Sequence, residues 1–243
     1  MKVILAILSA LLMLACGRVD SDNSHTSRQE SQSSDGQNVS LLILGTVQDG
    51  GRPHIDCRAS CCLYENLPDT PQNVVSLAIT DPVKREFLLF EATPDITTQL
   101  RMVGEYLPGY SSLPSAVFLT HAHIGHYTGL MFFGKEAKGA SNIPVFSMPR
   151  MSAFLQNNGP WGQLVSENNI QLNTIKLDSA IGFTNQVRIT PFLVPHRDEY
   201  SDTVGYHIAG PNKKVLFIPD INKWAVWDVN IADLIADIDL AFL

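Results

Sequence analysis

The sequence predicts an α+β fold in which paired sheets carry helices on their outer faces. Strand patterns come in runs, and helix patterns stand between only some of them, which fits neither strict β-α alternation nor an all-β chain. Histidine and aspartate residues recur directly after strand patterns, where loops on a rigid scaffold build functional sites. Hydrophobic residues make up 45% of the chain, which is enough for a sizeable core.

The first 39 residues are predicted to lie outside this fold. Residues 1–16 have the pattern of a signal peptide, since Lys2 precedes an apolar stretch too short to span a bilayer comfortably. The stretch ends in "LMLACG", which resembles a bacterial lipobox, so we expect Cys16 to become the acylated first residue. The alternative is a plain signal peptide with an incidental cysteine. Residues 17–39 are rich in Ser, Asp, Asn and Gln, which predicts a flexible tether.

Residues 40–243 have the length of one domain, and their first half predicts three strands before the first helix. Branched and aromatic residues mark the strands, and "DPVKR" makes a hairpin of the second and third. Pro94 and apolar residues at helical spacing mark the helix. The predicted elements are strands at 40–47, 74–80 and 86–92, a helix at 94–107, a strand at 115–120 and a helix at 126–137.

The second half of the domain is predicted to be richer in strands. Short apolar runs bounded by Gly, Pro and Asn separate the elements. The predicted elements are a strand at 143–148, a helix at 151–158, strands at 170–177, 187–195, 203–210 and 213–220, a helix within 224–238, and a strand beginning at 239. His207 lies inside one strand pattern and is predicted to be a packed or surface residue, whereas Trp224 and Trp227 are predicted to be core anchors.

Three histidines, His121, His123 and His126, lie within six positions directly after the strand at 115–120. Neutral imidazole is the commonest metal ligand in proteins, and catalytic zinc sites use three protein ligands and keep one position open. His196 and Asp220 each follow an apolar strand and a proline, so we predict that they join the cluster. Hydrogen-bonding loop histidines are the alternative, but this spacing with two further strand-end ligands favours a metal site.

The motifs "THAHIGHYTGL", "VPHRDEY" and "FIPDINKW", in that order, resemble the metallo-β-lactamase fold superfamily, and in particular the branch that includes pyrroloquinoline quinone biosynthesis protein B. The resemblance covers about residues 40–243. It implies an αββα sandwich with the metal centre at one edge of the two sheets. It also implies a first metal site at His121, His123 and His196, a second-site ligand at His126, and a bridging carboxylate at Asp220.

The chain departs from this family pattern in two ways. The pattern is His-x-His-x-Asp-His, and Gly125 stands at the aspartate position. The family also has a further histidine near its C-terminal end, whereas this sequence ends at Leu243 within a predicted strand, so the last strand and helix of the fold are expected to be absent. We therefore expect one well-held metal, or a weak second one bound only by His126 and Asp220.

A metal-dependent hydrolase is the leading functional hypothesis. A divalent ion lowers the pKa of its bound water toward neutrality, and the resulting hydroxide would attack an ester, lactone or phosphodiester of a small-molecule substrate. Asp220 or His126 would handle the proton. Zinc is the expected metal. Loop residues that could line the substrate pocket are Asp49, Arg52, Arg197, Asp198 and Glu199.

Two other functions are consistent with the same residues. The resemblance to the quinone-biosynthesis branch implies an iron-dependent oxygenase, and histidines with a carboxylate also suit iron(II). A non-catalytic, metal-bearing lipoprotein is the third hypothesis.

Charge and leader sequence bear on partners and location. The net charge of -7 and the lack of a basic block argue against nucleic acid as a partner. We expect an exported protein attached to the cell envelope, in the periplasm or at the outer membrane, through its N-terminal lipid anchor.

Three further cysteines lie close together in "HIDCRASCCLY". An exported protein normally pairs its cysteines, and three is an odd number. One interpretation is a structural zinc site formed by His54, Cys57, Cys61 and Cys62, which the family resemblance supports. The other is one disulfide and one free thiol.

Overall fold

Two stacked sheets form the centre of the protein, for which the computed structural model describes residues 38–63 and 72–243. The predicted signal peptide, its Cys16 and the tether up to residue 37 lie outside the described residues. The first sheet has six strands in sequential order. They are β1 (Leu41–Gly45), β2 (Ser76–Asp81), β3 (Glu86–Phe90), β4 (Ala116–Phe118), β5 (Ile143–Ser147) and β6 (Ile170–Thr174).

The second sheet has five strands, in the order β11-β10-β9-β8-β7. Its strands are β7 (Ile181–Gly182), β8 (Arg188–Leu193), β9 (Val204–Ala209), β10 (Lys214–Phe217) and β11 (Leu240–Phe242). Antiparallel pairing runs through β7 to β10, and β11 pairs with β10 in parallel. The short β7 was not predicted, because two residues carry no readable alternation of apolar and polar side chains.

Side chains that alternate along the strands separate the layers of the fold. Phe118 faces the second sheet, where it packs beside Phe90 at a ring-centroid distance of 5.3 Å and at the edge of Tyr206. Its neighbours Val117 and Leu119 point to the opposite face, into a separate cluster with the helices. The inter-sheet core and the helix-covered core are therefore distinct.

Helices cover both outer faces of the pair of sheets. The helices are α1 (Ile96–Tyr106), α2 (Ile124–Tyr127), α3 (Pro149–Asn157), α4 (Trp161–Ser166) and α5 (Ile231–Leu234). Side chains of α1, α3 and α4 pack on the first sheet, and side chains of α5 pack against Leu216 and Ile218 of the second sheet region. The predicted αββα sandwich is thereby confirmed.

Two expectations about local structure were wrong. The helix predicted at 126–137 is replaced by α2 and a 3-10 helix, Thr128–Phe133. The amide of Gly129 donates to the carbonyl oxygen of Ala92 and is therefore not used for an α-helical hydrogen bond. Trp224 is 36% exposed and so is not a core anchor, although Trp227 packs against the apolar cluster around Leu216. Within the described residues, no helix is both long and apolar enough to cross a membrane.

The topology brings four strand ends to one edge of the sandwich. β3 and β4 are parallel, so the residues after each of them leave the first sheet at the same edge. β8 and β10 both run antiparallel to β9, so their ends also share an edge of the second sheet. The predicted site residues follow three of these strands, and Glu91 follows the fourth.

Candidate metal centre

Three imidazole rings converge at the edge where the two sheets meet. His123 Nδ1 lies 2.8 Å from His121 Nε2 and 3.0 Å from His196 Nε2. The outer nitrogen of His123 lies 3.3 Å from the Glu199 carboxylate, which can only accept a hydrogen bond. This contact favours the tautomer with hydrogen on Nε2 and leaves the Nδ1 lone pair directed into the cluster, as a metal ligand requires.

The outer nitrogen of His121 also has a partner. Its Nδ1 lies 2.9 Å from the Thr120 hydroxyl, which holds the ring with Nε2 inward. Thr120 and His121 are both buried, because they follow β4 into the interior at the sheet edge. The three histidines that the sequence predicts as the first site are therefore brought together with one ring nitrogen each facing the same point.

Asp220 joins these histidines from the second sheet. Its Oδ2 lies 3.1 Å from His196 Nε2, 3.7 Å from His121 Nε2 and 3.9 Å from His126 Nε2. Donor atoms of His121, His123, His196 and Asp220 all lie within 4.8 Å of one another. The same oxygen therefore stands between the three-histidine group and His126, the position of a carboxylate that serves two adjacent sites.

His126 lies on the other side of Asp220 and is almost fully buried, at 1% exposure. Its Nδ1 lies 3.4 Å from Oε2 of the fully buried Glu91. Among the described residues, its Nε2 has no hydrogen-bond partner. An unpartnered buried polar atom costs about 1–3 kcal/mol, and a bound cation would remove that cost. The histidine and aspartate donor atoms of this cluster, together with the unpartnered Nε2 of His126, are therefore suited to binding a metal ion.

Asp49 is a member of the cluster that the motifs did not identify. The residue lies in the turn after β1, and its carboxylate, His126 and Asp220 offer donor atoms within 4.8 Å of one another. His126 and Asp220, which were expected to be the only candidate ligands on this side, therefore have Asp49 within reach of both. The only sequence signal for Asp49 was an aspartate in the turn "QDGGRP" after a predicted strand, and no local pattern relates that turn to the histidine motif.

The surroundings of His121, His196 and Asp220 shift the pKa values of all three side chains. Burial, with repulsion from the neighbouring histidines, lowers the pKa of His121 to about 3. Burial also lowers the pKa of His196. Although burial opposes ionisation of Asp220, contacts with His121 and His196 lower its pKa. These shifts favour neutral imidazoles at His121 and His196 and an ionised carboxylate at Asp220, the states that bind divalent cations.

The Glu91–His126 pair has a different balance. Burial raises the pKa of Glu91, against the effect of His126. Burial disfavours charge on His126, but Glu91, Asp220 and Asp49 outweigh it and raise the pKa of the ring. The three acidic side chains around His126 thus outweigh the effect of burial on its pKa. They favour a positive charge at this position, on the ring itself or on a bound cation.

The predicted pocket-lining residues divide into two groups. Asp49 and Glu199 contact or adjoin the histidine cluster, as described above. Arg197 lies 3.9 Å from Glu199 at the exposed rim, and Asp198 forms an ion pair with Arg150. Arg52 instead donates a hydrogen bond to the carbonyl oxygen of Cys61 and so braces the cysteine loop.

The cysteine loop adopts the disulfide alternative. Cys57 and Cys62 form a disulfide with Cα atoms 6.0 Å apart, within the range that bridging allows, and Cys61 is an exposed free thiol. His54 is exposed, and its Nδ1 faces the carbonyl oxygen of Ile55. It lies outside the cysteine group, so the four-residue zinc site predicted at 54, 57, 61 and 62 is not formed.

Backbone and side-chain hydrogen bonds join the two ligand-bearing loops. Ser201 Oγ accepts a hydrogen bond from the amide of Ala122, the residue between the two ligand histidines. The amide of Val204 donates to the carbonyl oxygen of Thr120. Tyr206 in β9 donates to the carbonyl oxygen of Leu119 at 2.6 Å. These contacts lock the loop from the first sheet onto the second.

Fold and site together define a class: an αββα sandwich with a histidine and carboxylate cation centre at the edge shared by its sheets. A family profile, the beta-lactamase superfamily domain, matches residues 87–243. This chain belongs to that superfamily, and the resemblance recognised in its motifs is confirmed.

Known proteins place the chain near one branch of the superfamily. It is 26% identical over 198 residues to coenzyme PQQ synthesis protein B of Methylorubrum extorquens (strain PA1), covering 74% of this chain and 64% of that protein. The chain thus spans less than two thirds of this relative's length. The crystal structure of Zn²⁺-bound PqqB from Methylobacterium extorquens superposes with a TM-score of 0.67 at 24% identity, covering 83% of this chain and 71% of that one.

More distant structures share the fold alone. Human tRNase Z, short form, has a TM-score of 0.52 at 16% identity and covers 83% of this chain and 76% of its own.

Proposed function

We propose that this protein is a zinc-dependent hydrolase whose ion is held by His121, His123, His196 and Asp220. The convergence of three inward ring nitrogens and one carboxylate oxygen, from loops of both sheets, is the observation that carries this proposal. When bound, a divalent cation lowers the pKa of a coordinated water and polarises a carbonyl or phosphoryl oxygen of the substrate. Esters, lactones and phosphodiesters of small molecules are the proposed substrate class.

The protein groups have separate tasks in this proposal. Asp220 is the candidate for accepting the proton that the attacking water releases, since its carboxylate is ionised, central and 28% exposed. With a single ion bound, His126 is the candidate for passing that proton onward, because its Nε2 faces Asp220. Glu199 and Thr120 hold the rings of His123 and His121 in position. Arg197, exposed at the rim beside Glu199, is available to contact an anionic substrate.

The test is hydrolysis of a panel of ester, lactone, phosphodiester and thioester substrates by full-length protein, before and after chelation and zinc return. We expect activity that disappears with the metal and returns with it. D220A keeps the three histidine ligands and should bind zinc more weakly; at saturating zinc it should still lose about 100-fold or more in turnover if Asp220 handles the proton. H54A, which changes an exposed histidine outside the cluster, is the control. Unchanged turnover in metal-free protein would refute the hydrolase proposal.

An iron-dependent oxygenase is the second candidate. It is favoured by the likeness to a relative named for coenzyme PQQ synthesis, and histidine–carboxylate sites with open positions also suit iron(II). Metal analysis of protein purified without added metal separates the two candidates. Iron together with substrate-dependent oxygen uptake supports the oxygenase, whereas zinc with turnover in the absence of oxygen supports the hydrolase.

We also propose that Cys16 is acylated and anchors an exported protein to the cell envelope. This rests on the "LMLACG" sequence and the polar tether after it. The expected result is that the protein fractionates with membranes and incorporates labelled fatty acid, whereas C16S does neither. Equal membrane association of C16S would contradict the anchor.

A further inference from the structure

We propose that Asp49 supplies the carboxylate of a second cation site, together with His126 and Asp220, in place of the side chain that position 125 lacks. The inference rests on the proposed function, because Asp220 is shared with the first site. It names a ligand from the turn after β1, far along the chain from the histidine motif.

Close packing at Gly125 is the first observation. A Cβ atom at this position would overlap the Cβ of Asp49 and lie 2.5 Å from its Cα and 2.8 Å from its carbonyl oxygen. Real Cβ atoms do not approach other atoms so closely, so the Asp49 backbone and a side chain at 125 exclude each other. Glycine at 125 is therefore what allows Asp49 to reach the cluster.

Donor geometry is the second observation. The carboxylates of Asp49 and Asp220 and a ring nitrogen of His126 lie within 4.8 Å of one another. The His126 ring is 1% exposed, its Nδ1 faces the buried Glu91, and its Nε2 is directed towards Asp220 with no hydrogen-bond partner among the described residues. One imidazole and two carboxylates suit a divalent cation such as zinc.

Charge is the third observation. Asp49 and Asp220 bring two carboxylates together beside a third, Glu91, on the far side of the ring. Like charges at such distances repel strongly in a partly buried setting. A metal ion placed between Asp49, Asp220 and the ring would balance this charge and use the unpartnered Nε2 as a ligand.

The experiment is calorimetric titration of Zn²⁺ into chelator-stripped full-length protein, checked by elemental analysis after desalting. Wild type should bind two ions at the edge cluster. D49N keeps the size of the side chain and removes its charge, and it should weaken the second ion about tenfold or more while leaving the first unchanged. D56N is the matched control, because Asp56 lies in the same loop with an exposed side chain paired to Arg58. Any ion held elsewhere contributes equally to all three proteins.

A second variant tests the packing argument without changing a ligand. G125A should push the Asp49 backbone away and weaken the second ion as D49N does. Circular dichroism of the stripped proteins verifies that each variant folds. If D49N binds zinc with wild-type stoichiometry and affinities, Asp49 is not a ligand, and the inference fails while the first site stands. If wild type binds no zinc at the cluster and H123A behaves the same, the proposed function fails as well.

Discussion

Glu91 shows how much a single buried residue organises at this centre. Its backbone adopts a left-handed conformation, with φ of 71°, directly after β3. One carboxylate oxygen accepts a hydrogen bond from the amide of Thr120 at 3.2 Å, and the other faces His126. Glu91 thus positions both the start of the histidine loop and the ring of the proposed second site. No motif in the sequence identified it, since its role arises from the parallel pairing of β3 and β4.

Replacement of Glu91 by Gln is expected to weaken the second zinc ion about 10- to 100-fold, the usual effect of losing a partner that orients a ligand. Gln retains the acceptor for the Thr120 amide but loses the charge that faces His126. Zinc calorimetry provides the measurement. E86Q, at the start of the same strand, is the control and should bind zinc as wild type does. Equal second-ion affinities in E91Q and wild type would remove Glu91 from this role.

His207 offers a pH-dependent test away from the metal centre. The ring packs against Phe192 at a centroid distance of 4.8 Å, and burial lowers its pKa despite Asp237 and Asp178. The unfolded chain therefore takes up a proton near pH 6.5 that the folded chain does not, so stability falls as pH drops through that value. H207Q should show a smaller loss of unfolding free energy between pH 7.5 and 5.5 in urea titrations with chelator present. An equal loss would contradict this prediction.

The short segment after the histidine loop is an element that depends on close backbone packing. Gly129 is the second residue of the 3-10 helix, and its amide donates a hydrogen bond to the carbonyl oxygen of Ala92. The amide of Ala92 in turn donates to the carbonyl oxygen of His126. A Cβ on Gly129 would overlap the carbonyl oxygen of Thr93. These contacts attach the His126 segment to the end of β3, and they explain why α2 is only one turn long.

Two glycine-to-alanine variants separate packing from helix propensity. G129A should destabilise the fold by about 1–3 kcal/mol or more, because the added methyl group has no space. G104A, within α1 and with nothing within 4 Å of the added atom, should stabilise it by about 0.5–1 kcal/mol. Urea unfolding of both variants measures the difference. If G129A had the same free energy of unfolding as wild type, or a higher one, close packing of the 3-10 helix would not be the constraint at this position.

At the scale of the whole molecule, the candidate metal centre lies where two sheets meet that are also joined by an apolar core and by hydrogen bonds between their loops. His121 and His123 follow the first sheet, whereas His196 and Asp220 follow the second. Phe90, at the centre of the core, packs edge-on against Phe217 of β10. A cation held by both sheets binds only when both are in place, so it adds its binding free energy to the stability of the folded state.

Removal of metal should therefore lower the melting temperature of the whole domain. At zinc concentrations about 100 times Kd, linkage amounts to about 2.7 kcal/mol, which corresponds to about 5–10 °C for a domain of this size. Calorimetry with and without chelator measures the shift. H196A, which removes the ligand from the second sheet, should lose most of it, and H54A should retain it. A shift of equal size in H196A would show that the cation does not link the sheets.

Local pattern was sufficient to predict most strands, α1 and α3. It was also sufficient to predict that the residues at positions 121, 123, 126, 196 and 220 lie close together. Strand runs are rich in branched and aromatic residues and end in readable Pro or His residues, because strands such as β2 and β3 are buried between the second sheet and the helices. The αββα arrangement followed from the motif resemblance. The helix predicted at 126–137 was wrong because the amide of Gly129 donates to Ala92, a residue of a separate segment, and a local helical pattern does not reveal such a contact.

The remaining features depended on folding in three dimensions. Asp49 and Glu91 both lie beside His126, and neither residue carries a spacing that relates it to the histidine motif. The cysteine loop had two chemically reasonable outcomes, and the approach of Cys57 to Cys62 selected one. The spacing of apolar residues along a segment indicates which of its own side chains face the core. The packing of whole elements against one another, in contrast, decides that Asp49 occupies the space beside Gly125.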